Sequence, residues 1–199
     1  MQRSASLARF TRAFHAAAVA GDAVPGRSIA VVQRMCAALD SCTGQPGDVA
    51  PQLLPACRHL DAALTTARAG PTALAPLAHA LQELAPLLHW RRKTGPGCTD
   101  APFMDGHANT QIMGPEGLEQ RSDVVVGVSL LAPQVTYPDH DHPPEEIYVV
   151  MSEGDWFTRA SGWYTPGSGG IVHHAPGITH AMRSGPHPLL AVWCLWVAR

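Results

Sequence analysis

Five of the eleven histidines fall between residues 140 and 180, and the densest segment reads Tyr137-Pro138-Asp139-His140-Asp141-His142-Pro143-Pro144-Glu145-Glu146-Ile147-Tyr148. Residues two apart in an extended strand share a face, about 6.6 Å apart at ~3.3 Å rise per residue. His140 and His142 can therefore converge on one ion, about 2.0–2.2 Å from each ligand atom. Glu146 has the same parity and can add an oxygen if Pro143-Pro144 keeps the register. Tyr148 shares that parity, so its phenol should point into the same space. A fourth ligand is expected from a neighbouring strand. Pro176-Gly177 is a turn signal, and His180 stands where the next strand should begin. His173 and His174 compete for that place but precede the turn. Three imidazoles and one carboxylate leave a divalent ion with one net positive charge and, if six-coordinate, two open positions. That set suits Fe2+, Zn2+, Mn2+, Ni2+ or Co2+, and ligand type alone does not choose among them.

The remainder of the chain must hold these groups in place. It has 199 residues, 14 Lys+Arg against 16 Asp+Glu, and 46 % hydrophobic residues. That composition fits one domain with an appendage and a sizeable core, and argues against a disordered chain. No apolar run approaches the ~18 residues of a membrane span, and the N-terminus has no continuous apolar stretch of the secretory kind. The one basic run, Arg91-Arg92-Lys93, is too short to hold a polyanion. It reads as a solvated turn after a helix, and nucleic acid is not an expected partner. Cys36, Cys42, Cys57, Cys98 and Cys194 are odd in number and lack C-x-x-C spacing, which suits a reducing cytoplasm.

The chain has two halves with different periods. Residues 1–93 read as helices, with apolar stripes Leu7-Phe10-Phe14-Ala17, Ile29-Val32-Cys36-Leu39, Leu53-Leu54-Cys57-Leu60-Leu64 and Leu74-Leu77-Leu81-Leu84-Leu88. Gly21, Gly44 and Gly70 are placed as stops, followed by Pro25, Pro46 and Pro71, and Pro86 should kink or split the last helix. Residues 94–118 are rich in Gly, Pro, Asp and Asn and read as a connection with room for one short strand. From 119 to 199 the runs 124–131, 147–151 and 189–197 are β-branched and bounded by turn formers, which predicts an all-β barrel or sandwich. The class is α+β. The helices are expected to cover a barrel edge, cap its mouth or form a homodimer contact.

Two motifs carry a resemblance to a known superfamily. His140-x-His142-x-x-x-Glu146 with Gly154 downstream resembles the first cupin motif. Gly169 through Ala175-Pro176-Gly177-Ile178-Thr179-His180 resembles the second, with Ser184 where an Asn is usual. The interval from Glu146 to Gly154 is one residue longer than the common pattern. The run Tyr137-x-x-His140-x-His142-x-x-x-Glu146-x-Tyr148, after a helical half and before a Trp-rich strand, is similar to the cupin-type dimethylsulfoniopropionate (DMSP) lyases of the DddQ-like group. That resemblance implies a C-terminal double-stranded β-helix and cleavage of a small zwitterionic sulfonium carboxylate to dimethyl sulfide and acrylate. It assigns His140, His142, Glu146 and His180 to the metal, and Tyr148 to proton abstraction with Tyr137 as neighbour or rival.

The implied β-elimination expels a neutral thioether, so it needs no general acid. It needs a base for the α-proton and positive charge for the carboxylate. A phenol of pKa ~10 brought to ~7 requires about 4 kcal/mol of differential stabilisation. The sulfonium calls for aromatic faces, worth ~0.5–2 kcal/mol each. Trp156, Trp163, Tyr164, Trp193 and Trp196 are candidates, with Trp193 and Tyr137 named for substrate contact. Trp193 and Trp196 have opposite parity, so one of them should face inward. Asp139, Asp141 and Glu145 have the wrong parity and read as solvated. The alternatives are an iron dioxygenase on the same ligands, or a non-enzymatic cupin that binds a small metabolite.

Overall fold

The computed structural model describes residues 3–21, 29–41, 44–94 and 98–198. Helices α1 (Ala5–Ala20), α2 (Ile29–Asp40), α3 (Leu60–Ala69) and α4 (Leu74–Leu84) come first, and the short α5 (Ala101–Gly106) follows. Their apolar spacing dictates the buried stripes, for example Leu7, Phe10, Phe14 and Ala17 on α1 and Leu74, Leu77, Leu81 and Leu84 on α4. Ser4 caps α1, its Oγ accepting from the Leu7 N–H at 3.4 Å, and Gly21 ends that helix. Pro86 splits the fourth series. Lacking an N–H, it cannot continue α4, and Ala85–Leu87 forms a separate 3-10 turn.

Two of the predicted stripes begin too early, while their later members, Val32, Cys36 and Leu39 in one and Leu60 and Leu64 in the other, are buried as expected. Ile29 is 62 % exposed, because the inward face of α2 is Val31, Val32, Met35, Cys36 and Leu39. Leu53 is 72 % exposed, because Pro55 opens a 3-10 turn over Pro55–His59 and α3 begins only at Leu60. Gly44 lies beyond the end of α2 and Pro46 belongs to a strand, whereas Pro25 falls outside the described residues.

The strands are β1 (Gln45–Pro46), β2 (His107–Met113), β3 (Glu119–Gln120), β4 (Val124–Leu131), β5 (Thr136–His140), β6 (Glu145–Val150), β7 (Asp155–Thr158), β8 (Gly162–Tyr164), β9 (Ile171–His174), β10 (His180–Arg183) and β11 (Leu189–Trp196). They form a seven-stranded sheet of order β1-β3-β2-β4-β11-β6-β9 and a four-stranded sheet of order β5-β10-β7-β8. This is the double-stranded β-helix expected from the two motifs, in an α+β chain. Alternation along each strand makes two cores. Val124, Val126, Val128, Ile147, Val149, Leu190, Val192 and Cys194 pack against the helices. Val125, Tyr148, Val150, Val172, Met182, Ala191 and Trp193 fill the barrel interior with Tyr137 and Trp156.

The segment 94–118 is more than a connection. It carries α5 and the seven-residue β2, which pairs along β4, so the continuous run of barrel strands begins at 107 and not at 119. The inward positions of β2 include Asn109 and Gln111, polar residues that line the cavity and erase the hydrophobic alternation. A buried ionic staple locks helices to sheet. The Arg121 guanidinium donates to the Ala38 carbonyl at 2.6 Å and the Ser41 carbonyl at 3.2 Å, while Arg3 donates to Leu39 at 2.6 Å. These are carbonyls at the end of α2, where cations are favoured. Cys36, Cys57, Cys98 and Cys194 are free thiols, and Cys42 lies outside the described residues. Among the described residues no helix is long and apolar enough to cross a membrane.

Candidate functional site

Register brings the predicted residues together from four strands. His140, at the end of β5, is the cross-strand partner of His180 on β10. Glu146 on β6 is the partner of His174 on β9, and Tyr148 is flanked by Val172 and Trp193. Gly177 holds φ 69°, a left-handed conformation that favours glycine, and its N–H donates to the His142 carbonyl at 2.9 Å. The Pro176-Gly177 turn is thereby tied to the loop bearing His142, and the two cupin-like segments become one structure.

The imidazoles share an orientation. Nδ1 of His140 lies 2.9 Å from the Pro138 carbonyl, Nδ1 of His142 lies 2.8 Å from the Pro144 carbonyl, and Nδ1 of His180 lies 2.9 Å from the Ile178 carbonyl. A carbonyl only accepts, so Nδ1 carries a proton in all three rings; Nε2 of the neutral His140 and His180 offers a lone pair, while Nε2 of His142 donates to Glu146 and offers its lone pair once that proton is displaced. Backbone carbonyls hold metal-ligating histidines in this way. His142 Nε2 is 3.1 Å and His180 Nε2 3.5 Å from Oε2 of Glu146, and the three ligand atoms lie within 4.8 Å of one another. The His140 ring lies beside that of His180, with centroids 4.1 Å apart and planes inclined by 56°, but stands outside that tightest group.

His174 is the residue the sequence reading undervalued. It is fully buried, its Nδ1 is 3.4 Å from Oε2 of Glu146, and its ring lies 4.0 Å from that of His180. His173 points the other way, with Nε2 2.7 Å from Oε1 of Glu145. Parity separates the two, since His174 pairs with inward Glu146 and His173 with outward Ile147.

The electrostatics ask for a cation. Burial pushes the Glu146 carboxyl up, but hydrogen bonds from His142 and His174 outweigh it and hold the group well below the usual carboxylate range. Burial works against protonating His142, yet its bond to Glu146 prevails and raises its pKa. Burial lowers His180 to about 3 and His140 to about 4, so both are neutral donors of a lone pair. Nε2 of His174 and of His180 are buried without a hydrogen-bond partner. Lone pairs and a carboxylate converging on one point fit a divalent ion, and His142, Glu146 and His180 could hold it.

Around this cluster lies a cavity of about 360 Å³ lined by Tyr137, Tyr148, Trp193, Asn109, Ser129 and Leu195, among others. The Asn109 amide donates to the Tyr137 hydroxyl at 3.2 Å. Burial raises both phenols; for Tyr148 the charge of Glu146 adds to it, and for Tyr137 the Asn109 hydrogen bond opposes it. Trp193 faces the barrel interior and Trp196 packs on the helical side beneath Arg34, whose guanidinium carbon is 4.6 Å from its ring. Trp156 is buried in the barrel interior, whereas Trp163 is 40 % exposed. Asp139 and Asp141 are exposed as expected, but Glu145 is ion-paired with Arg34 and hydrogen-bonded to His173. Arg91, Arg92 and Lys93 are not a solvated turn. They are half-buried and line the cavity. No periodic signal marked them or Asn109, because the basic run abuts the segment read as a connection and Asn109 lies within it.

The dimethylsulfoniopropionate lyase family profile matches residues 27–191. Dimethylsulfoniopropionate lyase DddQ of Ruegeria pomeroyi is 31 % identical over 160 residues, covering 79 % of this chain and 76 % of that protein. The crystal structure of DddQ from Ruegeria pomeroyi superposes with a TM-score of 0.70 at 21 % identity, covering 98 % of this chain and 92 % of that one. A chain from the crystal structures of the DMSP lyases RdDddP and RnDddQII gives 0.75 at 21 % identity, covering 98 % and 93 %. At that identity the two structural likenesses speak for the fold.

Proposed function

The chain belongs to the dimethylsulfoniopropionate lyase family, and from that premise we propose that it cleaves DMSP to dimethyl sulfide and acrylate. The base removes the proton beside the carboxylate, the electron pair forms the C=C bond, and the C–S pair leaves with sulfur. The products are dimethyl sulfide, acrylate and one proton. The observation that carries this reading is the convergence in one cavity of a His/Glu cluster, two phenols and an inward indole.

We assign His142, Glu146 and His180 to a divalent ion, with His140 as the fourth member. When bound, such an ion supplies positive charge for the substrate carboxylate and for the charge that develops beside it. Tyr148 is proposed as the base. Burial and Glu146 hold its phenol above the ordinary value, so it becomes a base only where positive charge offsets both. Tyr137 is the rival, and the Asn109 amide gives it a donor that favours the phenolate. Trp193 offers its ring face to the sulfonium, a contact worth ~0.5–2 kcal/mol. A carboxylate there would bind the sulfonium more tightly but would stabilise a charge that the reaction must lose as the neutral thioether leaves. The dioxygenase and metabolite-binding alternatives find no support in the family match.

The test is headspace detection of dimethyl sulfide from protein incubated anaerobically with DMSP, with and without chelator. The expected result is sulfide release with stoichiometric acrylate, abolished by chelator and restored by added metal. Fully metallated protein that releases none would refute the reading.

A further inference from the structure

The cations at the cavity are not equivalent. Arg91 is ion-paired with Glu116. Arg92 is 3.1 Å from Asp105 and donates Nε to the Met104 carbonyl at 2.6 Å. Lys93 has no carboxylate within ion-pair distance among the described residues, yet it is half-buried and lines the same cavity as His140, His142 and Glu146.

Its backbone is fixed from the interior. The Lys93 N–H donates to Nε2 of His107 at 2.7 Å, and His107 is fully buried with Nδ1 3.0 Å from the Phe103 carbonyl. The His107 ring stacks on Phe103 at 3.9 Å, and Phe103 in turn meets Tyr137 edge-on at 4.9 Å. Lys93 is therefore anchored to the aromatic group that supports Tyr137. Its charge also works against protonating His107, His140 and His142, in each case behind burial as the larger cause. A lysine that lines a cavity without a carboxylate partner can offer its charge to an anion placed there.

We propose that Lys93 is a substrate-positioning residue that receives the carboxylate of the zwitterion. With Lys93 and the divalent ion that His142, Glu146 and His180 would hold drawing the anionic end, the sulfonium is left to the aromatic face of Trp193. DMSP carries no net charge, so the lysine aligns its dipole rather than speeding its approach. The proposal rests on the lyase reading for the identity of the substrate, but not for the anion contact itself.

The experiment compares metal-loaded wild type with Lys93→Gln and Lys93→Arg. It reads KM and kcat for DMSP, bound metal, and calorimetric affinity for propionate and for the carboxylate-free ethyldimethylsulfonium ion. Removing a charge-assisted hydrogen bond should raise KM and weaken propionate roughly ten- to hundredfold. The kcat, metal content and sulfonium affinity should hold, and Lys93→Arg should recover most of the loss. Unchanged KM and propionate affinity in Lys93→Gln overturns the proposal, as does equal weakening of propionate and sulfonium. Lys93-dependent propionate binding by a wild type that releases no sulfide would uphold the anion contact and overturn the lyase reading instead.

Discussion

Nε2 of His180 stands 3.5 Å from Oε2 of Glu146 while its Nδ1 faces the Ile178 carbonyl at 2.9 Å. A neutral imidazole lone pair and a carboxylate oxygen repel unless a positive charge lies between them. Burial holds His180 near a pKa of about 3, so a proton is a poor candidate for that charge and a metal a good one. His180→Ala should accordingly lose bound metal, measured by elemental analysis of purified protein, and with it turnover. His174→Ala is the control. Retained metal in His180→Ala and lost metal in His174→Ala would exchange their roles.

Tyr148 and Tyr137 differ in what meets the hydroxyl. Glu146 adds to burial in raising Tyr148, whereas Asn109 donates to Tyr137. Tyr148→Phe is expected to lower kcat by about 10²–10⁴, the range for losing a general base, while metal content and fold stay intact. Tyr137→Phe should cost less and act mainly on KM. A larger kcat loss in Tyr137→Phe would make Tyr137 the base.

Parity made much of the site legible. His140, Glu146 and Tyr148 follow from a period of two, and Trp193 was separable from Trp196 by the same rule. What stayed hidden depends on pairing across distant strands. His174 faces Glu146 and His173 does not, a distinction that needs the register of β9 on β6. Asn109 was missed because β2 carries polar residues toward the cavity, so its alternation reads as a loop, and Lys93 because a three-residue basic run reads as a solvated turn. In the helical half the Pro86 break was visible, but Pro55 delayed α3 and exposed Leu53. Spacing alone cannot say which end of an apolar series reaches the core.

Trp193 owes its position to the absence of a side chain opposite it. A Cβ at Gly127, its cross-strand partner, would lie 2.2 Å from Cζ2 of the indole and 2.2 Å from the Thr110 carbonyl oxygen. Gly127→Ala should therefore push the ring into the cavity and cost about 1–3 kcal/mol in overpacking. The expected readout is a lower unfolding midpoint with a raised KM for DMSP. A variant with wild-type KM would show that the indole face is not part of the substrate contact.

Arg121 tests how the helices depend on the barrel. Its side chain is fully buried and meets Glu119 at 3.3 Å and Asp123 at 2.7 Å, besides the carbonyls at the end of α2. Arg121→Met leaves Glu119 and those carbonyls without one of their donors. The expected loss is about 3–5 kcal/mol, toward the lower figure because Asp123 is partly solvated. Hydrogen bonds from Arg121 outweigh burial and hold the Asp123 carboxyl below its ordinary value. A carboxylate depressed in the folded state stabilises above its unfolded pKa of ~3.9, and that contribution fades as pH falls through the folded value. Wild type should thus lose stability on acidification below about pH 4 more steeply than Arg121→Met. Denaturant titrations of the two proteins at a series of pH values measure the difference, and parallel profiles would remove Asp123 from the staple.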